Sequence, residues 1–286
     1  MDRHFLIAVS ENKSSLFGVR FVANFFVDKR DIKSTLFHAL SKTPGVWKNE
    51  RNLAADHRQK ERETQTAIKG EAALAVAEKE CVSLGFPPDN IFSTLQKQEF
   101  SKVGDLIQEG EKGRYDAVVI GRRGLSMLEE AFEDSFSTDL FNQSFTFPVW
   151  LCRSSSSYRK NVLLYLDGSE TSFRMTDHVG FMVGMEKTHR VDIMISEETA
   201  DPTSTLEKCK EILLGHGLLE ELIQHKISPP GNPAKIILDA VDKEHYAAVA
   251  LGHSDKEKNF LMRLFKSPVC STLFKELQDA ALWICH

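Results

Sequence analysis

A strand, glycine turn, helix, strand pattern occurs twice in this chain, and that repeat limits what the sequence can fold into. The clearer copy runs from Tyr115 to Cys152. It opens on the apolar run Ala117–Ile120, turns at Gly121 and Gly124, crosses an acidic segment to Ser135, and closes on Val149–Cys152. The weaker copy runs from Tyr246 to Cys285. YDAVVIG at Tyr115 matches YAAVALG at Tyr246, and VWLC at Val149 matches LWIC at Leu282. A short, continuous apolar run ended by glycine marks a strand buried on both faces.

The same order extends through both halves. In the first, strands are expected at His4–Val9, Ser34–Leu40 and Ile91–Leu95, with helices at Leu16–Phe26, Asn49–Leu84 and Ser101–Glu111. Ser14 or Ser15 is the expected cap of the first helix. In the second half, strands fall at Asn161–Leu166, Arg190–Ile195, Leu222–Ile227 and Ala247–Leu251, and Val9-Ser10 aligns with Leu166-Asp167. The serine run at Ser154–Ser157 divides the chain into domains 1–153 and 161–286 joined by linker 154–160. Strands alternating with helices specify an α/β fold. It has two tandem doubly wound domains, each a five-stranded, mostly parallel sheet flanked by helices. Such sheets bind ligands at the carboxyl ends of their strands. The candidate sites are therefore Ser10 with Gly121 and Asp167 with Gly252.

Composition narrows the function classes. Of 286 residues, 42% are apolar and 27% charged, enough for two cores. A net charge of −5 argues against general nucleic-acid or anionic-membrane binding. No apolar run is long enough to span a bilayer, and MDRHFLIAVS lacks a secretory signal's features, so a cytoplasmic location is expected. The five cysteines are widely spaced with no Cys-x-x-Cys pair, and they read as buried small apolar residues. No phosphate-loop lysine motif, nucleophile elbow or zinc-type histidine spacing occurs, so no catalytic or metal set is assigned. His253 is the one histidine that sequence places near a candidate site. Trp150 and Trp283 occupy equivalent strand positions and read as core or inter-domain packing.

The glycine turn after an apolar strand, and the sequence Leu166-Asp167-Gly168-Ser169-Glu170-Thr171-Ser172, resemble the universal stress protein (UspA) family in tandem form, once per half. The resemblance implies an adenine nucleotide, ATP or AMP, with Mg2+ if a triphosphate. Its motif is Gly-x-x-Gly, nine residues, then Gly and Ser or Thr. Gly121, Gly124 and Ser135 match it, Asp134 replaces the third glycine, and Arg122 and Phe136 flank the matches. The family aspartate at the first strand's end is Ser10 in the first half and Asp167 in the second. Gly252 matches the second loop, Asp255 stands where its next glycine belongs, and Ser267 matches only with one residue inserted. The resemblance also implies pseudo-twofold packing through the last strands and a homodimer.

Two unit charges about 4 Å apart interact by roughly 1 kcal/mol in water and roughly 4 kcal/mol at an effective dielectric of 20. Asp134 therefore opposes a triphosphate, while Arg122 and Arg123 either clamp it or solvate the turn. Asp167 reads equally as a nucleoside partner or as an Asx-turn cap. Three functions stay open: a non-catalytic stress regulator with degenerate sites, a working ATP or AMP binder through the first loop, and an ATP-cleaving enzyme.

Overall fold

A computed structural model of the chain describes residues 2–41, 53–122, 124, 147–154, 158–196, 198–252 and 267–285. Ser135, Phe136, Asp134, Arg123, His253 and Asp255 lie outside them.

The first half contributes β1 (Arg3–Ala8), α1 (Phe17–Phe25), β2 (Ile32–Leu40), α2 (Leu53–Ser83), β3 (Ile91–Lys97), α3 (Lys102–Gly113), β4 (Ala117–Gly121) and β5 (Val149–Cys152). The second contributes β6 (Val162–Leu166), α4 (Glu170–Val183), β7 (Val191–Ile195), α5 (Pro202–Gly215), β8 (Ile223–Ile227), α6 (Pro233–Glu244), β9 (Ala248–Gly252), α7 (Pro268–Glu276) and β10 (Ala281–Ile284). The strands expected from sequence are all present, with ends shifted by a residue or two.

Among the described residues the two five-stranded sets merge into one ten-stranded sheet, ordered β3-β2-β1-β4-β5-β10-β9-β6-β7-β8. Pairing within each half is parallel, and the halves meet where β5 runs antiparallel to β10 with Trp150 opposite Trp283. Alternation along the strands divides the apolar side chains between two cores, one on each face. Phe5, Ile7 and Val119 pack with α1, α2, α4 and α5. Leu6, Val118 and Ile120 pack with α3, α6 and α7. Each core runs across both halves, so the seam between them is interior.

Polar contacts also fasten the seam. His189 Nε2–H donates to the Phe25 carbonyl at 2.8 Å, and the Lys160 ammonium donates to the carbonyls of Asn24 and Phe25. These carbonyls belong to the last turn of α1, where helices leave acceptors unpaired and favour positive charge. Arg159, at the end of the serine segment, donates to the Asp279 carbonyl at 2.9 Å.

α2 and α5 show how the halves diverge. α2 has 31 residues and spans about 46 Å at 1.5 Å per residue, whereas α5 has 14. Its buried face comprises Gly70, Ala73, Leu74, Ala77 and Cys81. A side chain at Gly70 would crowd Leu40 and Leu95, so glycine there lets the helix lie close on β2 and β3.

Candidate functional site

The carboxyl ends of β1 and β4 are adjacent because these strands pair in register from Phe5 with Ala117 to Ala8 with Ile120. The crevice above them is lined by Ser10, Ser15, His38, Lys102 and Gly124 among apolar walls that include Phe37, Leu106 and Ile120. It encloses about 40 Å³, whereas small-molecule pockets usually run from about 300 to 1,000 Å³. A wider groove of about 320 Å³ opens between Ser10 and α2. Arg122, the residue after β4, is exposed and does not line the crevice.

The first turn is held from within. Ser15 is buried, and its Oγ accepts from the Ser10 N–H at 2.9 Å and donates to the Asn12 carbonyl at 2.8 Å. Asn12, rather than Ser14 or Ser15, caps the following turn by accepting from the Ser14 N–H at 2.9 Å. Ser15 points back to the strand end because the chain reverses there and leaves the Ser10 amide without a ladder partner.

Its equivalent in the second half is Ser172, which is fully buried. The Ser172 Oγ accepts from the Asp167 N–H at 3.1 Å, and its hydroxyl lies 2.7 Å from Asp167 Oδ1 and 2.5 Å from the Gly252 carbonyl oxygen. Asp167 Oδ1 also accepts from the Ser169 N–H at 3.0 Å, an Asx-turn. Asp167 and Gly252 are thus brought together as expected, through the serine that ends the Leu166–Ser172 motif. Ser267 sits apart from them in role: it is buried and caps α7, its Oγ accepting from the Cys270 N–H at 3.4 Å.

Close packing, rather than an unusual backbone, accounts for two of the glycines at these strand ends. A phosphate turn invites glycine for a positive φ, yet positive φ occurs at Gly85, Gly168, Gly217 and Gly231 and not at Gly121, Gly124 or Gly252. At Gly252 an added Cβ would fall 2.6 Å from the Ser172 Cα, and at Gly121 it would collide with the Ser15 carbonyl. Both are small because the start of the first helix of each half presses on the end of the fourth strand. Gly168 does need its conformation, with φ of +80° in the Asp-Gly turn.

His38 is a site residue that sequence reasoning missed. It is buried in the crevice wall, and its Nδ1–H donates to the Val9 carbonyl at 3.0 Å. Burial pushes its pKa below the usual histidine value. The signal was available: β2 neighbours β1, so the carboxyl end of β2 had to border the site.

Among the described residues, no group of three His, Cys, Asp or Glu side chains could hold a metal ion, and no helix is long and apolar enough to cross a membrane.

No family model matches the chain, and no curated protein sequence matches it. Solved structures do. A universal stress protein from Archaeoglobus fulgidus aligns over 99% of this chain and 95% of its own, with a TM-score of 0.66 at 16% identity. A putative universal stress protein from Pseudomonas aeruginosa aligns over 99% of this chain and 93% of its own, with a TM-score of 0.51 at 12% identity. The chain therefore has the fold of the two-unit universal stress proteins, the architecture its repeat led us to expect.

Proposed function

We propose that this chain is a tandem universal stress protein acting as a non-catalytic regulatory protein, its adenine-nucleotide sites degenerate. The observation that carries this reading is the engagement of Asp167. One oxygen of its carboxylate holds the Ser172 hydroxyl and the Ser169 amide, so the turn uses the aspartate without a ligand. The first half carries Ser10 at that position, above a crevice of about 40 Å³. Calorimetric titration with ATP and Mg2+ tests the reading. Binding weaker than about 10 μM is expected, and a tighter constant would overturn it.

A second reading, an ATP or AMP binder working through the first half, is favoured by the convergence of Ser10, Ser15 and Gly124 on one crevice. Asp134→Gly separates the two. Removing one carboxylate near a triphosphate is worth roughly 1–4 kcal/mol, so the variant gains about fivefold or more in ATP affinity if the first loop is a damaged phosphate cradle. Phosphate release above a protein-free control, lost in Gly124→Asp, would favour an ATP-cleaving enzyme instead.

A further inference from the structure

The outward face of α2 carries apolar side chains that none of the described elements covers. Ile68 and Val82 are 58% and 48% exposed, and Ala72 and Ala75 between them are exposed too; Val76, 52% exposed, lies to one side, where with Ala72 it borders the groove shared with Ser10. The residues Ile68, Ala72, Ala75, Lys79 and Val82 recur at alternating intervals of four and three, the spacing of a helix seam that meets another helix. At 100° per residue this seam lies opposite the buried face formed by Gly70, Leu74, Ala77 and Cys81. The matching helix of the second half lacks the stripe: on α5 the large apolar side chain left exposed is Leu214.

We propose that this face docks a second copy of the chain, two α2 helices packing antiparallel about a twofold axis at Ala75. The charge pattern selects that partner and direction. In such a pair Ile68 of each copy lies against Val82 of the other, and Ala75 meets itself, small enough for close approach. Lys79 of each copy then reaches Glu71 of the other, both being exposed. The neighbouring acids are turned aside within their own copy, Glu78 toward the Ser93 hydroxyl and Glu80 toward Arg20 at 2.6 Å. A twofold pairing uses one self-complementary patch and closes without leaving a further copy of it exposed.

Sedimentation equilibrium on the full chain tests this. A dimer with a dissociation constant tighter than about 100 μM is expected. Ile68→Glu with Val82→Glu abolishes it, while circular dichroism stays unchanged because both side chains are exposed. Lys79→Glu weakens association about tenfold by placing like charges together twice per dimer, and adding Glu71→Lys restores it. Ala75→Cys joins the copies under a mild oxidant through its own residue, the five native cysteines being buried. A monomer at 100 μM, a dimer indifferent to the Ile68 and Val82 changes, or a charge swap without recovery each overturns the proposal.

Discussion

The indole rings of Trp150 and Trp283 stack face to face, 4.0 Å between centroids and 5° from parallel, where β5 meets β10. The pair sits where equivalent strands of the two halves meet, yet its surroundings are not symmetric. His178 and Phe21 occupy the same repeat position, counted from Asp167 and Ser10. The Trp150 Nε1–H donates to His178 Nε2 at 2.9 Å. Phe21 offers the other indole only a ring edge, and among the described residues the Trp283 Nε1–H is buried without an acceptor.

That asymmetry predicts unequal costs. Trp150→Phe loses ring area and a hydrogen bond and strands the His178 acceptor, whereas Trp283→Phe loses ring area but removes an unpaired donor. The first variant should be less stable than the second by about 1–2 kcal/mol, read from urea unfolding midpoints at matched slopes.

The same histidine sets an acid limit. Burial pushes the His178 pKa from 6.5 down to about 3, and burial lowers that of His189 to about 4. Both are held neutral in the folded chain, so their contribution is complete above pH 6.5 and is lost as pH falls toward the folded values. Stability should therefore decline below about pH 6.5. His178→Gln keeps an acceptor for Trp150 but does not titrate, so it flattens the pH profile of thermal unfolding between pH 6 and 4. A profile parallel to that of the parent would show that His178 is not part of the acid response.

Close packing at Gly252 makes a prediction that does not involve a ligand. Gly252→Ala drives a methyl against the Ser172 backbone and should destabilise by about 1–3 kcal/mol. Gly121→Ala should act likewise through Ser15. If these glycines served only a phosphate, melting of the ligand-free protein would not move.

Asp167 can be assigned in the same way. Asp167→Ala removes an Asx-turn acceptor and the partner of a buried hydroxyl, for an expected loss of about 1–2 kcal/mol without nucleotide present. An unchanged melting temperature in the absence of ligand would return the residue to a purely nucleotide-binding role.

The repeat, the succession of strands and helices along each half and the placement of Ser10, Gly121, Asp167 and Gly252 at strand ends were legible because they depend on local pattern. A buried parallel strand must be apolar throughout, and a turn at its end must use glycine, serine or aspartate. Ser15, Ser172 and His38 were not legible as site residues. Each acts through a backbone group that only the reversal after β1 or β6, or the pairing of β2 with β1 or of β6 with β9, brings within reach.

The sequence by itself determined two copies of an α/β unit and the strand ends that form the candidate sites, because periodicity and turn chemistry are properties of consecutive residues. The resemblance pointed to the last strands as the contact between the halves, and tertiary structure decided that β5 and β10 join the two sheets into one, that Trp150 finds an acceptor while Trp283 does not, and that Gly252 is small because a helix presses on it. These depend on which distant surfaces meet, and packing across a seam leaves no periodic trace along the chain.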